Sequence, residues 1–347
     1  MNDTIKKYIP DVATWEITLK CNLNCLHCGS FAGRNRLDEL SNKETIKLCN
    51  DLSDLGFKGI TLMGGEVFLR KNWFEISKEI KDCGMALSII TNGYFKPDKF
   101  ISDLSDVEVD CLLVGMDGAT EETHDKIRNK KGCFKKSVNF VKKAKQENLP
   151  AGIITTVHTM NFSELPQIHE FVKKEKIIWQ IQHAIPLGRF PKELLVSKEQ
   201  YYTLGLYIKK LQNNYKGEKV PYIGNHNFGF YSKKIGNISP LSDWEGCIAG
   251  KSIIGIQSNG NIKGCLALSD NFIEGNIRKR SIKKIWEDPN SFVYTRRFDI
   301  DDIGENCNNC KHKNTCKGGC TTRSSTMTGK PHNDPYCFYK IENELKL

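Results

Sequence analysis

The 347-residue sequence contains no apolar run long enough to cross a bilayer, and its first eight residues carry no apolar signal core. It also contains no internal repeat and no low-complexity segment. Hydrophobic residues make up 39% of the chain and charged residues 27%, which is typical of a globular protein. These features argue against a membrane-spanning or secreted protein. We expect a cytoplasmic protein without a membrane partner.

The basic side chains do not form the pattern that nucleic-acid binding requires. The formal net charge is +10, but the lysines are scattered over many predicted helices. No stripe of aromatic side chains is interleaved with them. We therefore expect no nucleic-acid partner, while an acidic peptide is compatible with the charge.

Cysteine, by contrast, is abundant, with 14 residues. In a reducing compartment clustered cysteines indicate metal binding rather than disulfides. Ten of the 14 fall in tight clusters. The other four, Cys49, Cys83, Cys111 and Cys133, lie in predicted helices and strands or at a helix start, where we expect them to serve core packing.

The first cluster has the spacing C-x3-C-x2-C and consists of Cys21, Cys25 and Cys28, directly after the apolar run Ala13–Leu19. Three thiolates on one short loop can reach three corners of a four-iron cluster, which needs four ligands. One iron would then be open to a ligand that is not protein. The alternative is a zinc site, which closes at four ligands, but the next cysteine in the sequence is Cys49.

This loop resembles that of the radical S-adenosylmethionine (SAM) enzymes, in which SAM chelates the open iron through its amino and carboxylate groups. The family usually has an aromatic residue before the third cysteine, where this chain has His27. The resemblance implies an α/β fold, a partial (β/α)6 TIM-type barrel.

The hydrophobic pattern independently predicts six strands that alternate with helices, an arrangement typical of parallel βα units. Ser41 and Glu44 form a predicted capping box at the start of the first helix, and Gly56 is predicted to end it. The predicted strands are Ala13–Lys20, Gly59–Met63, Ala86–Ile90, Val109–Val114, Gly152–Val157 and Ile177–Ile185. The predicted helices are Ser41–Leu55, Asn72–Cys83, Asp98–Leu104, Phe134–Gln146, Ser163–Lys174 and Ser197–Tyr215.

Candidate SAM-binding residues follow the second and third predicted strands. Gly64, Gly65 and Glu66 resemble the family's GGE motif, which binds the SAM amino group. Thr91 and Asn92 end the third strand, where family members often place polar groups near SAM. A purely structural role is the alternative in both places: a tight strand-to-helix turn at Gly64–Glu66 and a capped turn at Thr91 and Asn92.

Weaker candidates follow the fourth and fifth strands. Family members often have Ser where this chain has Gly115, and that Ser contacts the carboxylate or ribose of SAM. Gly115 has no side chain that could make this contact. Arg128 resembles an Arg that can pair with the SAM carboxylate, and a surface Arg is the alternative. His158 and Asn161 are further candidates on the same rim of the barrel, although a lone His is more often structural.

Seven more cysteines lie in the C-terminal third: Cys247, Cys265, Cys307, Cys310, Cys316, Cys320 and Cys337. A zinc ribbon is the alternative that a single C-x2-C pair would permit, but seven ligands do not divide into four-ligand sites. Together with Gly260 the pattern resembles the SPASM domain, which holds two auxiliary 4Fe-4S clusters.

By that resemblance the outer auxiliary cluster would be held by Cys307, Cys310, Cys316 and Cys337. The inner cluster would be held by the remaining three, Cys247, Cys265 and Cys320. Some members have an eighth cysteine shortly before the first of the seven, and this chain does not. We therefore expect three thiolates at the inner cluster, with an open iron or a ligand such as Asp243.

The whole resemblance predicts a radical SAM domain at 12–215, a connector at 216–241 and a SPASM domain at 242–347. Such an enzyme would hold three 4Fe-4S clusters and would cleave SAM to a 5′-deoxyadenosyl radical that abstracts hydrogen from its substrate. The run Cys28-Gly29-Ser30 and the segment Asp38–Ser41 resemble the peptide-modifying branch most. We expect a ribosomally synthesised precursor peptide as substrate.

The expected protein partners are a reductant such as flavodoxin or ferredoxin and, since no leader-recognition domain precedes the first predicted strand, a separate leader-recognition protein. The alternatives are a dehydrogenase or epimerase of a small molecule, a sulfatase-maturase-like enzyme, an iron–sulfur electron carrier and a zinc-binding interaction module. No catalytic acid, base or hydrogen donor is identified from the sequence.

Overall fold

A ten-stranded sheet forms the centre of the computed structural model, which describes residues 8–214, 222–223, 228–236, 238 and 244–346. Its strands are β1 (Val12–Thr18), β2 (Gly59–Gly64), β3 (Ala86–Thr91), β4 (Cys111–Gly115), β5 (Ala151–Val157), β6 (Ile178–His183), β7 (Tyr222–Ile223), β8 (Ile253–Ile256), β9 (Asn261–Lys263) and β10 (Gly275–Asn276). The spatial order is β10-β9-β8-β1-β2-β3-β4-β5-β6-β7. The first six strands confirm the predicted set, and the α/β partial-barrel fold is confirmed.

Helices follow the strands of the barrel and continue through the C-terminal region. They are α1 (Asn42–Leu55), α2 (Trp73–Asp82), α3 (Pro97–Asp106), α4 (Glu121–Arg128), α5 (Cys133–Gln146), α6 (Leu165–Glu175), α7 (Lys198–Asn214), α8 (Ile282–Glu287), α9 (Val293–Arg296), α10 (Lys313–Cys316), α11 (Thr321–Thr328) and α12 (Phe338–Glu344). None of the helices in the described ranges has the length and apolar character needed to cross a lipid bilayer.

Local signals set the ends of several helices. The Ser41 hydroxyl accepts a hydrogen bond from the Glu44 amide while the Ser41 amide donates to the Glu44 carboxylate, which confirms the predicted capping box. Gly56 ends α1 with a φ of 97°. Helix α4 was not predicted, because seven of its eight residues are polar or charged and no apolar period marks it.

The sheet extends beyond the six predicted strands at both edges. Strand β7 pairs in parallel with β6, although we expected its residues to belong to an irregular connector. Strand β8 pairs in parallel with β1, from Val12 opposite Ile253 to Trp15 opposite Ile256, and β9 and β10 continue the sheet antiparallel. The cysteine-rich C-terminal region is therefore joined to the barrel by backbone hydrogen bonds of one continuous sheet.

Side chains alternate between the two faces of the parallel strands. One face packs against the helices and forms the core, with Trp15, Leu62, Ile89 and Trp179 fully buried. The opposite face lines the interior of the barrel. Most of its polar positions are only partly buried, namely Thr14, Thr61, Ser88, Thr156, Gln180 and Gln182, while Glu16 on the same face of β1 is buried.

Candidate functional site

The loop that carries Cys21, Cys25 and Cys28 follows β1 at the carboxyl end of the barrel, the rim on which such barrels carry their chemistry. Burial, together with smaller contributions from the neighbouring Cys25 and Cys28 thiols, raises the pKa of the Cys21 thiol to about 12. The structure therefore brings together the three thiols that the sequence singled out. We predict that they ligate the first cluster.

Backbone amides already point at two of these sulfurs. The Leu23 amide donates to Cys21 Sγ at 3.4 Å, and the Ala32 amide donates to Cys28 Sγ at 3.3 Å. Hydrogen bonds of this kind tune iron–sulfur clusters in proteins. The donor set of the loop fits such a cluster.

Arg189, in the segment that follows β6, holds the cysteine loop in place through hydrogen bonds to its backbone carbonyls. The Arg189 side chain donates to the Cys25 carbonyl at 3.1 Å and to the Ala32 carbonyl at 2.7 Å. The Arg189 amide donates to the Cys28 carbonyl at 3.0 Å. Sequence reasoning did not identify Arg189, because it is 161 residues beyond Cys28 in the chain.

Gly64 and Gly65 lie against the start of the cysteine loop. Gly64 has a φ of 149°, which favours glycine. A Cβ atom at Gly65 would lie 2.6 Å from the Leu19 carbonyl oxygen and closer still to the Lys20 carbonyl oxygen. The Gly65 amide donates to the Thr18 carbonyl at 2.8 Å. These glycines let the backbones of β2 and the cysteine loop approach each other.

Glu66 is buried and joins the ends of β2 and β3. Its carboxylate accepts hydrogen bonds from the Thr91 hydroxyl at 2.7 Å, the Asn92 amide at 2.8 Å and the Phe68 amide at 3.3 Å. Burial raises the pKa of the Glu66 carboxyl to about 7, although these hydrogen bonds oppose that rise. The side chain therefore positions the third strand end relative to the second.

Asn92 carries this network on to the cysteine loop. Its side-chain amide donates to the Asn22 side chain at 2.7 Å and lies 3.9 Å from Cys21 Sγ. The structure thus brings Gly64, Gly65, Glu66, Thr91 and Asn92 into one hydrogen-bonded assembly beside the first thiol. We predict that this assembly forms the SAM site.

Arg128 lies on the neighbouring side of the loop and is paired within the protein. Its guanidinium is 2.6 Å from the Asp117 carboxylate, and both side chains are buried. A Cβ atom at Gly115 would lie 2.8 Å from Arg128 Cζ, so the guanidinium occupies the space that a serine side chain would need. This explains the departure from the family pattern at Gly115. A direct contact of Arg128 with the SAM carboxylate stays a prediction.

Asp117 is the centre of a buried polar cluster that the sequence did not reveal. Its carboxylate lies 3.2 Å from His27 Nε2 and accepts the Thr156 amide at 2.8 Å. Burial lowers the pKa of His27 to about 4 despite the opposing effect of Asp117. The polar residue at position 27 is therefore explained by a partner that lies 90 residues further along the chain.

His158 and Asn161 support this cluster rather than lining an open site. The Asn161 side chain donates to the Asp117 carbonyl at 2.9 Å and accepts from the His158 amide at 2.9 Å. The His158 ring packs near His27 and Phe190.

Replacing Asp117 with alanine is expected to lower the free energy of unfolding by about 3–5 kcal/mol, because Arg128 would be left buried without its carboxylate. Urea denaturation of the purified variant measures this. Asp82→Ala is the matched control, since it removes an exposed ion pair with Lys78 and should cost less than about 1 kcal/mol. Equal stability losses in the two variants would contradict the importance of the buried pair.

Four of the seven C-terminal cysteines, Cys307, Cys310, Cys316 and Cys337, are predicted to hold the outer cluster. Burial, together with smaller contributions from Cys337 and Cys310, raises the pKa of the Cys307 thiol to about 12. Burial also raises the pKa of the Cys316 thiol, to which Cys337 and Cys307 contribute. The four thiols of the predicted outer group are therefore neighbours.

The three cysteines that we predict to hold the inner cluster, Cys247, Cys265 and Cys320, also influence one another. Burial raises the pKa of the Cys265 and Cys320 thiols, and each of them is raised further by Cys247. Asp243, the proposed fourth ligand, lies outside the described residues. Among the described residues no three Cys, His, Asp or Glu side chains are arranged to hold a single metal ion.

Cys133, which we expected to serve core packing, lies beside the first cysteine loop. It is fully buried in a small cluster with Leu23 and Cys25. The spatial neighbourhood of the loop thus contains a fourth thiol that its sequence neighbourhood does not show.

Comparisons with known protein families match both the barrel and the cysteine-rich C-terminal region. The radical SAM superfamily matches residues 15–172, and SPASM, an iron–sulfur cluster-binding domain, matches residues 247–311. An AdoMet-dependent heme synthase from Methanosarcina barkeri is 28% identical over 95% of this chain and 97% of its own. The PqqA peptide cyclase of Rhizobium meliloti is 23% identical over 96% of this chain and 89% of its own.

A solved structure has the same fold. Streptococcus suis SuiB bound to the precursor peptide SuiA superposes with a TM-score of 0.78 at 15% identity, over 95% of this chain and 75% of that one. A likeness at this identity establishes the architecture of the barrel and the C-terminal region.

Proposed function

This chain carries a radical SAM domain followed by a SPASM domain, and we propose that it uses them to modify a ribosomally synthesised peptide in the cytoplasm. Its cofactors are SAM, a 4Fe-4S cluster in the barrel and auxiliary iron–sulfur clusters in the C-terminal domain. In this family the reduced cluster supplies the electron that cleaves SAM to a 5′-deoxyadenosyl radical.

Within the proposal the residues of the chain have separate tasks. Cys21, Cys25 and Cys28 would hold the barrel cluster, while Glu66 and Asn92 keep the neighbouring strand ends in place. The seven C-terminal cysteines would hold the auxiliary clusters in the two groups described above. With three thiols in the inner group, the fourth cluster position would be an open iron or would take a non-cysteine ligand such as Asp243.

The observation that carries the peptide proposal is the chemistry of the barrel interior. Thr14, Thr61 and Ser88 lie opposite one another on adjacent strands, and Gln182 donates to Thr156 at 2.7 Å. These hydroxyl and amide groups can pair with peptide N–H and C=O groups. Among the described residues, the inward-facing positions of β1 to β6 hold no Lys or Arg that would pair with a polyanionic substrate.

The rim adds a second feature that favours a polypeptide. After the cysteine triplet the chain exposes two large apolar side chains, Phe31 at 64% and Leu37 fully. Phe31 has a φ of 55°, a conformation that costs an L-residue about 1–2 kcal/mol. The Arg189 guanidinium lies 5.2 Å from the Phe31 ring centroid. Exposed apolar groups of this kind beside a reaction site are typical of protein and peptide contact surfaces.

A tetrapyrrole is the second candidate substrate, because the heme synthase relative is 28% identical over nearly the full length of both chains. Heme-like tetrapyrroles carry carboxylate side chains, and a carboxylate that is buried in a protein needs a cationic partner. Lys20 and Arg34 on the rim could supply such partners from outside the barrel interior.

The deciding experiment uses the anaerobically reconstituted protein with SAM and dithionite. Short peptides encoded beside its gene and an iron porphyrin with carboxylate side chains are supplied in parallel. We expect 5′-deoxyadenosine to form and one of the peptides to change mass, while the porphyrin is recovered unchanged. Conversion of the porphyrin without any change in a peptide would refute the peptide proposal.

The proposal includes two protein partners, a separate leader-recognition protein and a flavodoxin or ferredoxin that supplies electrons. A pull-down with the tagged full chain checks the first. Replacing dithionite with reduced flavodoxin in the SAM-cleavage assay checks the second.

A further inference from the structure

A buried ion pair between Arg323 and Asp334 lies at the meeting point of the barrel and the two auxiliary cysteine groups. Arg323 Nε donates to Asp334 Oδ1 at 2.7 Å, and Arg323 Nη2 donates to Asp334 Oδ2 at 2.8 Å. The two side chains are 0% and 1% exposed. Such a two-point pair has a defined geometry, which a single contact lacks.

This pair closes a ring of hydrogen bonds around Cys320. The Cys320 amide donates to Asp334 Oδ2 at 3.0 Å. Cys320 is also the N-cap residue of α11, and its Sγ accepts the Arg323 amide at 3.5 Å. The backbone and the sulfur of an inner-group cysteine are therefore both held by the residues of the ion pair.

The same pair holds the segment that leads into Cys337 of the outer group. The Tyr336 amide donates to Asp334 Oδ1 at 3.0 Å, and Arg323 Nη2 donates to the Tyr336 carbonyl at 2.8 Å. Arg323 also reaches the barrel, where Nη1 lies 3.4 Å from the Tyr201 hydroxyl on α7. One ion pair thus contacts elements of the barrel, the inner group and the outer group.

The charge of Asp334 lies in hydrogen-bond contact with the backbone at both cysteine groups. Its carboxylate accepts the amide of Cys320 in the inner group at 3.0 Å and the amide of Tyr336, the residue before Cys337 of the outer group, also at 3.0 Å. Reduction of a cluster adds negative charge, so a nearby carboxylate disfavours it and a nearby guanidinium favours it. Charges and hydrogen bonds close to the sulfurs are established determinants of cluster potentials.

We propose that Arg323 and Asp334 are positioning residues that fix the two auxiliary clusters relative to each other and set the balance of their reduction potentials. Asp334 acts on both groups through its charge, and Arg323 offsets that charge beside Cys320. The proposal concerns the auxiliary clusters and is independent of the substrate. Its failure would leave the peptide proposal untouched.

The test is a redox titration of the reconstituted full chain, followed by electron paramagnetic resonance. In Asp334→Asn a buried negative charge is removed, and the potential of an auxiliary cluster should rise. In Arg323→Gln a positive charge is removed, and the potential should fall. Opposite shifts are the signature of an electrostatic role, which a merely structural role would not produce. Unchanged auxiliary potentials in both variants, or shifts of the same sign, would overturn the proposal.

Two further variants keep the test decisive. Asp288→Asn is the matched control, because it breaks a partly exposed ion pair with Arg280 in the same C-terminal region. It should leave every cluster signal unchanged. Should Arg323→Gln fail to assemble its clusters, Arg323→Lys keeps the charge and loses the two-point geometry. We then expect an altered auxiliary spectrum, and a wild-type spectrum and potential would overturn the proposal.

Discussion

Replacing Cys25 with alanine is expected to lower 5′-deoxyadenosine formation from SAM by at least about 100-fold, because two thiolates in place of three no longer hold the barrel cluster. Cys25 is the middle thiol of the loop and is buried beside Arg128. Iron analysis should show a loss of about four iron atoms per chain, the content of one such cluster. Product formation is measured by chromatography after anaerobic incubation with dithionite.

Cys133→Ala is the matched control for this experiment. Cys133 lies in the same buried cluster as Cys25, so both variants remove a buried thiol from the same place. The structural cost of such a truncation is about 1 kcal/mol in each. We expect Cys133→Ala to keep its iron content and most of its activity. An equal loss in both variants would contradict the assignment of the three-cysteine loop as the complete protein ligand set.

Replacing Gly65 with alanine is expected to have the second-largest effect. The added Cβ atom would collide with the carbonyl oxygens of Leu19 and Lys20, which are backbone atoms at the start of the cysteine loop. The loop must move, so we expect a stability loss of about 1–3 kcal/mol together with the loss of SAM cleavage. Urea denaturation and 5′-deoxyadenosine formation measure the two effects separately.

Gly33→Ala is the control for the glycine experiment. Gly33 belongs to the same loop region, its φ is not in the left-handed range, and no atom lies within 4 Å of an added Cβ. We expect a change in stability within about 0.5 kcal/mol and unchanged SAM cleavage. Wild-type stability and activity in Gly65→Ala would show that the close approach of the two backbones does not matter.

Much of the fold could be predicted from the sequence because its signals are local. The capping box at Ser41 and Glu44 and the left-handed stop at Gly56 depend on residues a few positions apart. Alternating strand and helix patterns identified the six barrel strands for the same reason. Helix α4 was not predicted, because its residues are mostly polar or charged and show no apolar period. The pairing of β8 with β1 was not predicted either, because it joins residues about 240 positions apart.

The sequence by itself determined which cysteines are candidate cluster ligands, because thiolate ligands are chemically distinctive and their spacing resembles two known cluster-binding patterns. It also placed the glycine–glycine–glutamate turn at the end of a strand. Only the tertiary structure decided that Glu66 joins two strand ends, that Asp117 pairs with Arg128 and His27, and that Arg323 and Asp334 lie between the auxiliary groups. A buried charge needs a partner, and which of many distant residues supplies it depends on how the chain packs.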